Sequence, residues 1–303
     1  GPLAPLGNQG AFHNGTEGTS VEVKSQSISM LFGYQPTENF NFYAGPVYQT
    51  IKGDVQLRGL AYGGNATFGG YNTSIKETGD IGWLAGAAFQ IPDIALKASV
   101  TYRSEIEHSV NVKESFNSAG LLAGLNAAPS LNTDITTPQS VNLDFQTGIM
   151  ANTVAFANVR WVDWSSFSIQ PYKFGLASKS AAIQAQTGKS EFDLVAYTDD
   201  QISATVGVGR KLNDQWAGNV SVGWDSGAGN PVTTLGPTEG YWNVGLGAQF
   251  SPTPQTFIAG GVKYFWLGDA KAQSGAQFDT ANYVADFESN YAIAYGLKMG
   301  YKF

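Results

Sequence analysis

The sequence of 303 residues contains no cysteine and only two histidines, and charged residues make up just 14% of it. The absence of cysteine excludes a disulfide framework, thiolate chemistry and a cysteine-ligated metal. Neither His13 nor His108 has a second ligand at metal-binding spacing, so we expect no metal site and no cofactor. No nucleophile stands beside a base in a recognisable pattern, so we do not expect an enzyme.

Positive charge and long apolar runs are also lacking. The chain has 17 Lys and Arg against 24 Asp and Glu, a formal charge of -7, and its basic residues form no cluster that would suit nucleic acid. No stretch of about 18 or more apolar residues is present, which excludes a transmembrane helix. The opening "GPLAPLGNQGAFHNGTEG" has neither the charged n-region nor the apolar h-region of a signal peptide. We therefore interpret residues 1–18 as the remnant of an extracellular loop or as a start added by cloning.

Glycine (37 residues) and aromatic residues (13%) are abundant, and apolar residues recur at every second position. In "QWAGNVSVGW" the residues Trp216, Val220, Val222 and Trp224 share one face, and small or polar residues share the other. A period of two predicts strands with one apolar and one polar face. Eleven segments follow this pattern, near residues 19–34, 39–57, 78–90, 93–113, 138–150, 153–166, 199–211, 215–225, 240–250, 255–268 and 286–303.

The connections between these segments alternate strictly between short and long. A transmembrane antiparallel β-barrel has this arrangement, with tight periplasmic turns and longer extracellular loops. Trp216 and Trp224 would stand roughly 20 Å apart along the membrane normal, close to the spacing of two aromatic girdles. A soluble β-sandwich with aromatic core pairs is the alternative, but it explains neither the loop asymmetry nor the aromatic end of the chain.

The last strand predicts an assembly signal. Its outward residues end on an aromatic side chain at the periplasmic rim, as in strands read by the outer-membrane assembly machinery. We assign this signal to Tyr295, Leu297, Met299, Tyr301 and Phe303.

An odd number of strands poses a problem, because single-chain bacterial barrels use an even number. An open barrel would leave unpaired backbone groups in lipid, at a cost of several kcal/mol each. Either a strand in 167–198 has escaped detection, or the chain lacks an N-terminal part. We favour the second interpretation: residues 1–303 then form a single outer-membrane barrel domain that is N-terminally incomplete.

From about residue 20 onward the chain resembles the outer-membrane long-chain fatty acid transporters, the FadL/TodX-type family. Five stretches carry the resemblance in the family's order. They are "SQSISMLFGYQPTENFNFYAGPVYQTIKGDVQL", "GDIGWLAGAAFQIPDIALKASVTYRSEIEHSV", "NVRWVDWSSF", "YTDDQISATVGVGRKLNDQWAGNVSVGWDSG" and the closing strand. The resemblance implies a fourteen-stranded barrel in the bacterial outer membrane, of which three strands and an N-terminal plugging hatch would be absent here.

The resemblance also implies passive transport of long-chain fatty acids or other hydrophobic small molecules. Such a transporter needs apolar surface and a cation that holds a carboxylate. Alternation turns the cations Arg103, Arg160 and Lys263 toward the lumen, and the same faces offer aromatic lining. The ligand-binding candidates are Arg103, Arg160, Lys263, Tyr43, Phe257 and Phe265.

Alternatives stay open at this point. Each base could instead pair with an inward carboxylate such as Glu105 or Asp144 and simply hold the barrel interior together. The whole chain could be a general aqueous porin, or a structural or receptor barrel that binds a phage or a host surface. The expected partners are a fatty acid or similar hydrophobic ligand, the lipid bilayer with its lipopolysaccharide, and the outer-membrane assembly machinery.

Overall fold

A computed structural model describes residues 10–229, 232–236, 238–278 and 282–303. Most of this part of the chain lies in one large antiparallel sheet whose strands follow one another in sequence order. The strands are β1 (Ser20–Ser29, continued by Phe32–Tyr34), β2 (Phe40–Gln56), β3 (Asn72–Ile91), β4 (Leu96–Arg103), β5 (Ser140–Met150), β6 (Thr153–Val162), β7 (Gln201–Lys211), β8 (Trp216–Asp225), β9 (Tyr241–Thr253), β10 (Thr256–Leu267) and β11 (Tyr291–Tyr301).

All eleven predicted strands are present, and their bounds differ most from the prediction in β3 and β4. β3 begins at Asn72 rather than near 78, because its first residues pair with both the end of β2 and the short strand Val112–Ser115. β4 ends at Arg103 rather than continuing to 113. There the chain leaves the sheet at Ser104, whose N–H donates to the Trp83 carbonyl oxygen at 2.9 Å.

The connections confirm the predicted asymmetry. At one end of the sheet, which we call the inner end, the turns are short and span residues 35–39, 92–95, 151–152, 212–215 and 254–255. At the opposite, outer end the loops are long and span residues 57–71, 104–139, 163–200, 226–240 and 268–290.

The outward face of the sheet is apolar and carries aromatic residues at both ends. At the outer end the rings of Trp224 and Trp242 are paired across strands, with centroids 6.4 Å apart. At the inner end Trp216 and Phe250 are paired in the same way, with centroids 4.8 Å apart. Trp216 is 46% exposed and Trp224 is 36% exposed, so these side chains face away from the protein, as the alternation predicts.

The largest buried cluster lies among the outer loops. Phe68 and Tyr71 from loop 57–71 pack with Phe116, Phe174 and Phe192 from the next two loops. Segment 167–198 contributes two helices to this cluster, α1 (Tyr172–Lys179) and α2 (Ala181–Thr187). The strand residues within 167–198 are Ser168–Ile169 and Val195–Ala196, and they pair only with each other. The segment therefore holds no strand of the large sheet.

Loop 104–139 folds back against the inner face of the sheet. Its hairpin pairs Ile106–Val110 with Thr133–Thr137, and we call this element the inner hairpin. Ile106 packs on Val47 of β2 and Leu84 of β3, and Ile135 packs on Ile51. Part of the inner surface is thus covered by a second layer. In the described part of the chain, no helix combines the length and the apolar character that crossing a membrane requires.

Candidate functional site

A cavity of about 740 Å³ lies between the inner hairpin and the inner faces of the neighbouring strands. This volume falls within the roughly 300–1,000 Å³ typical of small-molecule sites. Most of its wall is aliphatic or aromatic. The apolar lining residues are Val23, Val47, Ile51, Ile75, Trp83, Ile106, Ile135, Pro138, Val162, Trp164, Phe167 and Ile169.

Two of the predicted cations, Arg103 and Arg160, line this cavity together. Arg103 is the last residue of β4 and Arg160 lies near the outer end of β6, with β5 between them. Among the described residues, no carboxylate oxygen lies within 4.0 Å of either guanidinium, and neither makes a side-chain hydrogen bond. Both cations are therefore available to an anionic ligand.

Two carboxylates, Glu105 and Asp144, were the expected partners, and neither forms an ion pair within 4.0 Å in the described part of the chain. Asp144 on β5 accepts hydrogen bonds from the side-chain amides of Asn142, at 2.5 Å, and Asn158, at 2.7 Å. The structure therefore does not bear out the alternative in which Arg103 and Arg160 hold the barrel interior together through ion pairs.

The inner hairpin, which forms one wall of the cavity, is fixed to the sheet by a polar contact. His108 is fully buried. Its Nδ1 lies 2.8 Å from Oδ2 of Asp80 on β3, and its Nε2 lies 2.9 Å from Oε1 of Gln49 on β2. The Thr137 hydroxyl donates to the same Gln49 oxygen at 2.8 Å. These contacts join both hairpin strands to the sheet.

Tyr43 stands behind the cavity rather than in it. Its ring lies across Gly86, where a Cβ atom would collide with it, and its hydroxyl lies within hydrogen-bond distance of the Thr101 hydroxyl. Tyr43 also packs on the cluster formed by Val47, Leu84 and Ile106. It supports the cavity wall.

The three predicted residues on β10 share the inner face but lie outside this cavity. Phe265 packs against Tyr241, with centroids 5.0 Å apart, and Phe257 lies over Gly300. Lys263 extends across Gly245 of β9. The structure therefore groups Arg103 with Arg160 and leaves Lys263, Phe257 and Phe265 elsewhere on the inner surface.

A second, more open cavity of about 1,270 Å³ lies at the inner end of the sheet. Its polar lining comes from inner-face residues near the short turns. These residues are Gln146, Lys211, Asn219, Gln249 and Lys298, and the short turns and the adjoining strand ends add Asp93, Asn152, Thr153 and Arg210.

Sequence reasoning missed the contribution of the loops to the cavity wall. Ile106 and Ile135 come from the inner hairpin, and Phe167 and Ile169 come from the start of the following loop. The alternation in "IEHSV" and "TDITT" was a signal that these segments are extended. It did not show that they pair with each other inside the sheet.

The outer loop between β8 and β9 holds a carboxyl group whose pKa is raised. Burial raises the pKa of Glu239 to about 7, and the nearby negative charges of Asp199 and Asp225 add to this effect. Oε2 of Glu239 is buried and has no hydrogen-bond partner in the described part of the chain.

Comparison with known proteins agrees with this architecture. Among solved structures, the chain is similar to a FadL homologue from Pseudomonas aeruginosa, with 15% identity over 91% of this chain and 67% of that one and a TM-score of 0.63. It is also similar to the toluene transporter TodX from Pseudomonas putida, with 13% identity over 85% of this chain and 68% of that one and a TM-score of 0.54. The toluene transporter TbuX from Ralstonia pickettii matches with 12% identity over 81% and 63% and a TM-score of 0.52. No curated protein matches the chain.

At these identities the solved structures establish the fold, a transmembrane antiparallel β-barrel. The sequence model for the outer membrane protein transport proteins (OMPP1/FadL/TodX) matches residues 8–303, which is nearly the whole chain. The chain therefore belongs to the OMPP1/FadL/TodX family and is a transport protein of hydrophobic compounds in the bacterial outer membrane.

Proposed function

We propose that this protein carries long-chain fatty acids, or hydrophobic carboxylates like them, passively across the outer membrane. The observation that carries the proposal is the pair of unpartnered guanidiniums, Arg103 and Arg160, in a cavity whose wall is otherwise mostly apolar. Lipopolysaccharide and its sugars block free diffusion of such molecules, so they need a path through protein.

The two cations favour an acid over a neutral hydrocarbon. A neutral ligand that displaces water from the cavity leaves the guanidiniums without hydrogen-bond partners, and this costs free energy. A carboxylate replaces the lost water and can accept two parallel hydrogen bonds from one guanidinium. The electrostatics of the cavity therefore select for a negative head group.

The apolar wall suits the remainder of such a ligand. Each methylene group moved from water into the cavity contributes about 0.8 kcal/mol. Ile51, Ile106 and Ile135 present aliphatic surface beside the cations. An amphiphile with one charged end and one long alkyl end matches this combination.

A binding measurement on the detergent-solubilised protein tests the proposal with palmitate, hexadecanol and toluene as probes. We expect Arg103→Gln and Arg160→Gln each to weaken palmitate binding about tenfold or more, because a hydrogen bond to a charged group contributes about 1.5–3 kcal/mol. Hexadecanol binding should be unchanged. Arg210→Gln is the matched control, because Arg210 lies near the inner end and contacts the Met150 sulfur. Palmitate binding that is insensitive to both substitutions contradicts the proposal.

The same measurement addresses the competing ligand class. TodX and TbuX are toluene transporters, and toluene that binds more tightly than palmitate would favour a monoaromatic hydrocarbon as the cargo. Steady ion conductance in planar bilayers would favour a general porin. Unchanged uptake after deletion of outer-loop residues would assign those loops to phage or host binding.

A further inference from the structure

We infer that Lys24, Lys52 and Lys76 bind the phosphate groups of lipopolysaccharide on the outward face of the barrel, just above its apolar band. We call these residues the lysine row, because β1, β2 and β3 contribute one lysine each. The inference depends on the outer-membrane location of the protein and is independent of the cargo that the protein carries.

The members of the lysine row are neighbours across three adjacent strands. Lys24 and Lys52 are directly opposite each other in the pairing of β1 with β2. The pairing of β2 with β3 shifts register between Ile51 and Gly53, and the residues of β3 opposite this shift include Lys76. The lysine row therefore crosses the three strands without an intervening strand.

The side chains of the lysine row point away from the lumen. Each lysine directly follows a residue that lines the cavity of about 740 Å³, and these residues are Val23, Ile51 and Ile75. Because successive side chains alternate between the two faces of a strand, the lysines lie on the outward face, where all three are exposed. Lys52, beside the register shift, also borders the cavity, yet it is exposed between two buried neighbours.

The lysine row lies at the level of the lipid head groups. The last outward apolar residues of these strands are cross-strand neighbours that are 74%, 47% and 71% exposed, and they are Ile28, Tyr48 and Ile81. Lys24 and Lys52 lie four residues farther along their strands. At a strand tilt of about 40°, this places them about 10 Å higher along the membrane normal. In a leaflet of lipopolysaccharide, that level holds phosphorylated sugars.

The charges on this face do not stabilise the sheet by pairing across strands. Directly opposite residues have Cβ atoms about 4.5–5.5 Å apart, and like charges in such positions are destabilising. Lys24 nevertheless faces Lys52, and in the next outward row Glu22 faces Asp54. Like charges are thus sorted by height, with the basic row nearer the membrane.

Three carboxylates share this outward face, and they do not neutralise the lysine row. Glu22 lies 3.1 Å from Lys24, but both side chains are more than half exposed, so this ion pair contributes little. The other two carboxylates are Asp54 and Glu77. In the described part of the chain, no carboxylate oxygen lies within 4.0 Å of the ammonium group of Lys52 or Lys76. These two ammonium groups are therefore available to an external anion.

A phosphate group between these lysines offsets their mutual repulsion. Hydrogen bonds from an ammonium group to phosphate are charge-assisted, and lysine binds phosphate as a point charge without a demand for one geometry. The phosphates of lipid A are fixed to sugars at the surface of the acyl layer. One lipopolysaccharide molecule can therefore place its acyl chains along Ile28, Tyr48 and Ile81 and its phosphate at the lysine row.

Native mass spectrometry of the protein in detergent, with EDTA present, tests the inference. The probes are bisphosphorylated lipid A, monophosphorylated lipid A and phosphatidylglycerol, and we expect the parent to bind the bisphosphorylated form most tightly. Lys24→Gln combined with Lys52→Gln should weaken that binding about 25-fold, because each lysine near an anionic lipid surface contributes about fivefold. Without lipid A, this variant should melt no lower than the parent, because the repulsion between the two lysines is gone.

Two control variants make the result specific to charge and position. Lys24→Arg with Lys52→Arg keeps both charges and should bind lipid A as the parent does. Lys211→Gln with Lys302→Gln removes two lysines at the inner end of the sheet and should also leave binding unchanged.

Three outcomes overturn the inference. The first is equal binding of lipid A by the parent and by the variant with Gln at positions 24 and 52. The second is phosphatidylglycerol that binds the parent as tightly as lipid A, which would indicate a surface for any anionic lipid. The third is binding that is lost in EDTA and restored by Mg²⁺ in parent and variant alike, which would assign it to cations held by Glu22 and Asp54.

Discussion

The imidazole of His108 lies 2.8 Å from the carboxylate of Asp80 and joins an outer loop to the inner wall of the barrel. The two residues are distant in sequence, and they meet because loop 104–139 turns inward as a hairpin. His108 is fully buried, whereas 35% of the Asp80 side chain is exposed to solvent. The contact fixes the wall that completes the ligand cavity.

Replacing Asp80 with Ala should therefore loosen the inner hairpin. The substitution removes the carboxylate that lies 2.8 Å from the buried His108 Nδ1, and loss of a close contact with a charged group costs about 1–3 kcal/mol. We expect the free energy of unfolding in urea to fall by about that amount, and cleavage by trypsin at Lys113, in the connection between the two hairpin strands, to become faster.

Glu107 provides the control, because it lies on the same hairpin strand as His108 and its side chain is exposed. Glu107→Ala should leave unfolding and trypsin cleavage as they are in the parent. Equal effects of the two substitutions would show that the Asp80 contact does not anchor the hairpin.

A second prediction concerns the start of α1. Glu114 accepts hydrogen bonds from the N–H groups of Lys173, at 2.8 Å, and Phe174, at 2.9 Å, and from the Tyr71 hydroxyl at 2.7 Å. Glu114→Ala leaves these donors unpaired, and loss of a helix N-terminal acceptor costs about 0.5–2 kcal/mol. Hydrogen exchange of the α1 amides, followed by mass spectrometry, should become faster. Glu191→Ala removes an exposed partner of Lys179 and should leave this exchange unchanged.

The sequence predicted the barrel well because its strands carry a local signal. Alternation in β6 and β10 gives both the strand and the face of each residue, and so the inward direction of Arg160 and Lys263 followed from parity alone. The depth of a residue along its strand also follows from the local sequence. Its position around the barrel does not. The sequence therefore grouped Lys263 with Arg103 and Arg160, although Lys263 does not line their cavity.

The loops could not be predicted in the same way. The alternation of β4 runs on into "IEHSV", and no local feature marks Arg103 as the last residue in the sheet. The hairpin is selected by its contacts with Asp80, Gln49 and Leu84, all of which are distant in sequence. Likewise, α1 lies in loop 163–200 but depends on a carboxylate from loop 104–139, that of Glu114.

A third prediction concerns assembly. Tyr295, Leu297, Met299 and Tyr301 all lie on the exposed outward face of β11, and the Phe303 ring packs against Tyr301 with centroids 5.2 Å apart. If these residues form the signal that we assign to them, Phe303→Ala with Tyr301→Ala should lower the amount of folded protein in the outer membrane. Heat-modifiable mobility of the membrane fraction measures that amount. Lys302→Gln changes the residue between them and should have no effect, whereas equal levels in all three proteins would reject the assignment.

A fourth prediction follows from the raised pKa of Glu239. Its ordinary pKa is near 4.5, and in the folded loops it is about 7. Between these values the folded protein binds a proton that the unfolded chain does not, so the free energy of unfolding falls as the pH rises from about 4.5 to about 7. Because the side chain is partly open to solvent, we expect a loss of about 1 kcal/mol rather than the full equivalent of the shift.

Glu239→Gln should remove this part of the pH dependence, because the amide carries no charge beside Asp199 and Asp225 at any pH. In melting experiments at pH 5, 6, 7 and 8, the variant should therefore be more stable than the parent at pH 8 and similar to it at pH 5. Glu22→Gln, which removes an exposed carboxylate paired with Lys24, should keep the parental profile. If Glu239→Gln and Glu22→Gln gave the same profile, the negative charge of Glu239 could not be what destabilises the outer loops at high pH.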